Sequence, residues 1–212
     1  MLLQRTTIIT AGLVIFAASA GVSRAQDACQ DNRRIVGGEK TDIKEHPWQI
    51  ALSIDRPNGS YLCGGSLIAE KWILTAAHCF DARPEASRVR AKAGETQYSR
   101  PGSWSQVENI IVHKSYNPST QENDIALVKL KLPSRGDLIP LADPTLQPSI
   151  CEALEVTGWG RTSEGGPASP FLLKGLVPYV ENDTCNAPEA YAGAIKSGMM
   201  CAGYHDGGVD AC

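Results

Sequence analysis

Short stretches of alternating or continuously apolar residues recur along the chain, and clusters of Pro, Gly, Asn and Asp separate them. Alternation with a period of two is typical of a strand with one buried face, and short apolar runs are typical of strands buried on both faces. The intervening clusters, such as Ser163–Pro170, are turn signals. Many short strands at fairly even spacing predict an all-β barrel or sandwich. The predicted strands are Trp48–Ile54, Ser66–Thr75, Arg88–Ala93, Val107–His113, Ile125–Leu132, Leu154–Gly158 and Leu172–Val180.

One stretch, Asn182–Ala194, is compatible with a helix, but it is short and Pro188 interrupts it. No repeat and no low-complexity tract divides the chain. Apart from its first 25 residues, the chain therefore reads as one folding region.

The composition is that of a folded soluble protein, with 42% hydrophobic and 20% charged residues. The net charge is -3, and no long run of Lys and Arg occurs. A phosphate backbone requires a basic surface, so nucleic acid is excluded as a partner.

The N-terminal 25 residues follow the pattern of a secretory signal peptide. Arg5 supplies the positive start, and the apolar run Ile8–Ala20 follows it. This run is shorter than the roughly 20 apolar residues that a spanning helix needs, so no membrane anchor is predicted. Cleavage is expected after Ala25, although Ala20 also satisfies the small-residue rule. The mature protein is predicted to be secreted, into the extracellular space or a periplasm.

Export to an oxidising compartment makes disulfide bonds the first interpretation of the seven cysteines. An odd number leaves one thiol without a partner, and we assign that position to Cys212, the last residue. The cysteines show no CxxC zinc spacing. No metal and no cofactor is predicted.

A processing point is predicted where Arg33 and Arg34 precede Ile35, Val36 and two glycines. Cleavage after Arg34 would free the amino group of Ile35, which stays largely charged at neutral pH. Burial beside a carboxylate would compensate that charge. A basic loop that leads into a strand is the alternative interpretation.

Two further segments carry side chains suited to nucleophilic catalysis. His78 stands in the segment Thr-Ala-Ala-His-Cys at the end of an apolar strand, and an imidazole can take a proton from a hydroxyl and return it to a leaving amine. Asp124 stands at the start of an apolar strand, where a carboxylate can fix the tautomer of an imidazole. Taken alone, a histidine is more often a packed or surface residue, and an aspartate at such a position is more often a turn residue.

Asp210, near Cys212, could line a pocket and pair with a cationic side chain. The alternative interpretation is an acid on the protein surface.

The motifs IVGG, HPWQ, CGGSLI, TAAHC, DIAL, VTGWG and MCAGY…DAC occur in this order. Together they resemble the chymotrypsin and trypsin family of serine peptidases, from Ile35 to Cys212. The resemblance implies two six-stranded antiparallel β-barrels with the active site between them. It also implies a signal peptide over residues 1–25, an activation propeptide over residues 26–34 and a peptidase domain over residues 35–212.

By this resemblance, the bond between Arg34 and Ile35 is the zymogen cleavage point, His78 is the general base and acid, and Asp124 orients it. Asp210 is implied to be the acidic floor of the primary specificity pocket, which selects Arg or Lys. The implied partners are protein or peptide substrates with Arg or Lys, an activating protease and protein inhibitors.

The sequence departs from the family pattern because the Gly-Asp-Ser-Gly-Gly segment, which carries the nucleophile and the oxyanion-hole glycine, is not present. The second barrel is therefore expected to be incomplete, and the chain alone is expected to be inactive. An incomplete record of an active endopeptidase is our main hypothesis. The alternatives are a non-catalytic secreted homologue that acts as a binding protein, and a β-rich structural domain with accidental motif matches.

The resemblance also implies the disulfide pairs Cys63 with Cys79 and Cys185 with Cys201. For Cys151 two partners stay open, Cys29 of the prosegment or a cysteine outside the chain. Some relatives bind calcium in the loop after Glu95, but here that loop has no second acid, so a calcium site is not expected.

Overall fold

The structure is a computed structural model that describes residue 29, residues 38–161 and residues 165–204. Several sequence predictions fall outside these ranges. They are the signal peptide, the cleavage point between Arg34 and Ile35, the specificity acid Asp210 and the cysteine Cys212.

The described residues form β-strands with very little helix, and most of these strands enclose one core. The strands are β1 (Glu39–Lys40), β2 (Gln49–Arg56), β3 (Gly59–Ala69), β4 (Trp72–Thr75), β5 (Val89–Ala93), β6 (Ser105–Val112), β7 (Ala126–Leu130), β8 (Ala153–Gly158), β9 (Leu173–Val180) and β10 (Cys201–Ala202). Six of them close into an antiparallel barrel in the order β2-β3-β4-β7-β6-β5. Closure pairs β5 with β2, so the barrel has no open strand edge.

Strand β2 is buried on both faces because it lies between the barrel interior and the second sheet. Leu52 and Ile54 point into the barrel core and are fully buried. Ala51, which precedes Leu52 and faces the other way, packs with Trp159 and Leu172, the residues that adjoin β8 and β9. The nearly continuous apolar run that predicted this strand reflects its double burial.

The second sheet is smaller and open. Strand β9 pairs with β8 along its length and with β1 and β10 near its two ends, which makes a four-stranded sheet. A short helix, α1 (Asn182–Cys185), follows β9, and the Cys185–Cys201 disulfide ties it to β10. The prediction of an all-β protein with one closed barrel and an incomplete second one is confirmed for the described residues.

The predicted strand Ser66–Thr75 is in fact parts of two strands. The chain turns between Ala69 and Trp72, so β3 and β4 form an antiparallel hairpin. The apolar residues on both sides of the polar pair Glu70 and Lys71 hid this turn, because the pair carries neither Gly nor Pro.

The predicted helix Asn182–Ala194 is much shorter in the structure and ends at Cys185. The Asn186 side chain instead bonds both the N–H and the carbonyl oxygen of Ile195, at 2.9 Å each. These two bonds close the intervening residues into a loop, because an Asn amide satisfies backbone groups that a helix would otherwise pair.

The loop of residues 94–104 connects the barrel to the second sheet through Thr96. The Thr96 carbonyl oxygen accepts hydrogen bonds from the Trp159 indole N–H at 3.0 Å and from the Leu172 N–H at 2.7 Å. Its hydroxyl accepts a third from the Ile43 N–H at 3.0 Å. A single loop residue therefore holds three separate segments at the junction.

The same loop is organised around a buried ammonium group. Lys92 of β5 is 3% exposed, and its Nζ donates to the carbonyl oxygens of Tyr98, at 3.2 Å, and Arg100. The ammonium also lies 5.4 Å from the centre of the Trp104 ring. Calcium requires six or more oxygen ligands. Two oxygens of this loop already bind a cation, so the residues present do not fit a calcium ion.

Replacement of Lys92 by Met is expected to lower the free energy of unfolding by about 1 to 3 kcal/mol, because it leaves two loop carbonyl groups without their donor. Urea or thermal unfolding of the full-length protein measures this. Lys129→Met is the matched control, since Lys129 forms an exposed pair with Glu108 at 2.9 Å; we expect a change of at most about 0.5 kcal/mol there. Equal losses in the two variants would contradict a structural role of the Lys92 ammonium.

Candidate active site

His78 begins a tight 3-10 turn that comes three residues after strand β4. The turn is closed by the Phe80 N–H, which donates to the Ala77 carbonyl oxygen at 2.9 Å. The next residue, Cys79, is bonded to Cys63 of β3 and is 2% exposed. The backbone that carries the imidazole is therefore anchored to the barrel core on one side.

Asp124 lies in the loop between β6 and β7, two residues before β7 begins. The Asn123 backbone has a left-handed φ of +58°, which Asn tolerates better than most residues. The Asn123 side chain donates to the Ser115 carbonyl oxygen at 3.0 Å, and the His113 N–H donates to the Ile125 carbonyl oxygen at 3.0 Å. These bonds close the loop and fix the position of the carboxylate.

Strand pairing explains why these two distant residues meet. Strands β4 and β7 are antiparallel neighbours, and Thr75 at the end of β4 pairs with Ala126 at the start of β7. The segment that leaves β4 and the segment that enters β7 consequently lie side by side. His78 and Asp124 are carried by these two segments.

The Asp124 carboxylate holds His78 by two contacts. Its Oδ2 lies 2.7 Å from the imidazole Nδ1, and its Oδ1 accepts a hydrogen bond from the His78 backbone N–H at 2.8 Å. A carboxylate only accepts, so Nδ1 carries the proton and donates. In the neutral imidazole this leaves the lone pair on Nε2. The side chains are 43% and 25% exposed, so the imidazole is accessible to a reactant while the carboxylate is more covered.

The cluster of Cys63, His78 and Cys79 does not fit a metal. Three potential ligand atoms in the described part of the chain lie within 4.8 Å of one another. The two sulfurs are bonded to each other in a disulfide. Metals bind the thiolate form of cysteine, so a single imidazole remains.

A cleft of about 600 Å³ adjoins the His78 turn. Its lining combines apolar residues such as Phe80 and Ile110 with the charged residues Asp81, Arg83 and Lys114. His78 and Asp124 are not among its lining residues. The cleft therefore adjoins the imidazole and carboxylate pair without containing either side chain in its lining.

Three disulfides join cysteines of the described residues: Cys29–Cys151, Cys63–Cys79 and Cys185–Cys201. Of the two partners left open for Cys151, the structure has Cys29. Bonds of this kind persist in oxidising compartments, which fits an extracellular protein.

Sequence reasoning missed Tyr116 and Asp81, which are hydrogen-bonded next to the His78–Asp124 pair. Tyr116 stands in the turn Ser-Tyr-Asn-Pro, and Asp81 follows the predicted catalytic segment. Their proximity to that pair is a consequence of the β4–β7 pairing, so motif spacing alone offers no signal for it.

A closed six-stranded barrel that presents a carboxylate-bound imidazole beside two paired strands defines a chymotrypsin-like fold. A sequence model of the family described as Trypsin matches residues 35–212. The chain is also 38% identical over 183 residues to transmembrane protease serine 11G of Mus musculus. The chain belongs to the trypsin family of serine proteases.

The match to the mouse protein covers 84% of this chain and 43% of that protein, so the chain spans less than half the length of this relative. Among the residues that the structure describes, we find no helix with the length and apolar character needed to cross a bilayer.

Proposed function

We propose that the protein is a secreted serine endopeptidase, made as a zymogen, which hydrolyses peptide bonds after Arg or Lys by a Ser-His-Asp mechanism. The observation that carries this proposal is the 2.7 Å contact between His78 Nδ1 and Asp124 Oδ2. This contact supports the proposal because it leaves the lone pair of Nε2 on the side of the ring away from the carboxylate, available to accept a proton from a hydroxyl.

In this mechanism a serine hydroxyl attacks the scissile carbonyl carbon while His78 Nε2 takes the hydroxyl proton. His78 then returns that proton to the leaving amine, and an acyl-enzyme forms. Water then gives a proton to the same nitrogen and attacks the acyl carbon; the bond to the serine oxygen breaks, His78 returns the proton to that oxygen, and the acid is released. Asp124 stabilises the imidazolium that appears in both steps.

The serine is not supplied by the 212 residues in the Gly-Asp-Ser-Gly-Gly setting that the mechanism needs. We propose the reaction for a protein that contains this segment in addition to the 212 residues. A protein limited to these 212 residues is expected to show no peptidase activity, because nucleophile, base and oxyanion donors act as a unit.

Activation by cleavage between Arg34 and Ile35 is part of the proposal. Strand β1 begins at Glu39, where it pairs with Lys174 of β9. Ile35 lies four positions before Glu39, so the freed N-terminus could reach up to about 14 Å from this anchor. The Cys29–Cys151 disulfide would keep the released prosegment attached. The cleaved prosegment should leave the protein only after reduction, which electrophoresis with and without reductant tests.

The experiment that tests the proposed activity uses the full open reading frame, expressed with its prosegment and activated by trypsin. Peptides with Arg, Lys or an uncharged residue before a chromogenic leaving group are the substrates. A fluorophosphonate probe reports a reactive serine independently of the peptide. Turnover and labelling that appear together, only after activation, support the endopeptidase.

Neither turnover nor labelling in a correctly cleaved, folded full-length protein would overturn the proposal. That result would favour the non-catalytic binding homologue.

Replacement of Asp210 by Ala is expected to reduce the preference for Arg over an uncharged residue about 10- to 150-fold in kcat/KM. Charge-assisted hydrogen bonds contribute roughly 1.5 to 3 kcal/mol, which corresponds to this range. Asp206→Ala, in the same segment, is the matched control and should leave the preference unchanged. An unaltered preference in Asp210→Ala would remove Asp210 from the specificity pocket.

A further inference from the structure

The loops that carry His78 and Asp124 are joined at a second point. The Tyr116 hydroxyl donates a hydrogen bond to Asp81 Oδ1 at 3.0 Å, with Gln121 Oε1 at 3.4 Å as the other acceptor. Asp81 ends the His78 turn, where its N–H donates to the His78 carbonyl oxygen at 3.2 Å. Tyr116 belongs to the loop before Asp124. The Tyr116–Asp81 bond therefore spans the same two loops as the His78–Asp124 contact.

Tyr116 is itself held in place. Its half-buried ring packs against the barrel core, and its N–H donates to the His113 carbonyl oxygen at 3.0 Å. Burial raises the pKa of Tyr116 above its ordinary value, and the hydrogen bond to the Asp81 carboxylate raises it further. The hydroxyl therefore keeps its proton and remains a donor over the pH range of the proposed reaction.

We propose that Tyr116 and Asp81 are positioning residues that keep the His78 imidazole and the Asp124 carboxylate in register. Both bonds between Asp124 and His78 come from one carboxylate group, so the Tyr116–Asp81 bond adds a constraint at a second, separate point and restricts the relative orientation of the two loops further. Water competes for both contacts, because the side chains of the His78–Asp124 pair are partly exposed and the Tyr116–Asp81 bond is exposed, so the two contacts together hold the loops more firmly than either alone. A displacement of about 1 Å can cost up to roughly 100-fold in rate. This inference rests on the proposed peptidase function.

Two variants separate the hydrogen bond from the charge. Tyr116→Phe removes only the donor and keeps the ring, and it is expected to lower kcat about 3- to 10-fold with KM unchanged within about twofold. Asp81→Asn keeps an acceptor oxygen but loses the charge, and it should retain kcat within about twofold. Tyr191→Phe, at an exposed position, is the matched control and should behave as the wild type.

A double-mutant cycle tests whether the two residues act through each other. Asp81→Ala should lower kcat about as much as Tyr116→Phe, and the double variant should lose little more than either single variant. Losses that multiply in the double variant would show independent effects and would overturn the positioning role.

A second measurement does not depend on catalysis. In the activated full-length protein with ¹⁵N-labelled histidine, NMR reports how fast the His78 Nδ1–H exchanges with water. Tyr116→Phe should speed this exchange at least about threefold, since the carboxylate contact opens more often, and Tyr191→Phe should not change it. An unchanged exchange rate overturns the inference even if the protein proves to have no peptidase activity. The inference would also be overturned if Tyr116→Phe lost turnover only to the extent that its lowered Tm explains.

Discussion

Replacement of Asp124 by Asn in the activated full-length enzyme is expected to lower kcat by about 10⁴-fold, the typical loss for the orienting carboxylate of this family. The reason lies in the two contacts to His78, at 2.7 Å from Oδ2 to Nδ1 and at 2.8 Å from Oδ1 to the backbone N–H. The backbone donor requires an acceptor, so an Asn would turn its oxygen to it and its NH₂ group to Nδ1. The imidazole would then carry its proton on Nε2, where it could not accept one from a hydroxyl.

Steady-state kinetics with an Arg peptide measures this loss. The matched control is Asp137→Asn, because Asp137 is an exposed carboxylate in the segment after β7, outside the two loops that carry His78 and Asp124; it should leave kcat unchanged. A loss below about tenfold in Asp124→Asn, with the structure intact, would contradict the assignment of Asp124 as the residue that sets the tautomer of His78.

The second large effect is expected on stability. Leu52→Ala should lower the free energy of unfolding by about 2 to 5 kcal/mol. The removed side-chain atoms no longer gain free energy by leaving water, and a cavity remains in their place. Leu52 is fully buried in the middle of β2, which pairs with β3 on one side and β5 on the other. Neighbouring strands on both sides restrict the collapse of the backbone into the cavity. Urea or thermal unfolding gives the difference.

Leu132→Ala deletes the same atoms at a position that is 74% exposed. A change within about 0.5 kcal/mol is expected there. Similar losses in the two leucine variants would mean that the interior of the barrel does not dominate the stability of this protein.

The strands could be predicted from local residue patterns because a strand has a period of two and turn residues interrupt it. Val89 and Ala91 of β5 are buried and Arg90 between them is exposed, as the alternation indicated. The same alternation placed β6, β7, β8 and β9 within a few residues of their observed ends. The hairpin between β3 and β4 was missed because its turn uses Glu70 and Lys71, which are not turn signals.

For the candidate site, the motifs singled out His78 and Asp124 but contained no distance between them. Their separation of 46 residues becomes a 2.7 Å contact only because β4 and β7 are neighbours in the barrel. The roles of Asp210, Arg34 and Ile35 remain predictions from the sequence.

The sequence by itself determined the all-β class, the positions of most strands and the residue types capable of proton transfer. Each of these depends on neighbouring residues, whose spacing is set by the covalent chain. Only the tertiary structure decided that Lys92, a charged residue expected at the surface, is buried under its loop carbonyls, and that Tyr116 bonds Asp81. Both depend on contacts between segments that barrel closure brings together, and the energy of such contacts cannot be read from either segment alone.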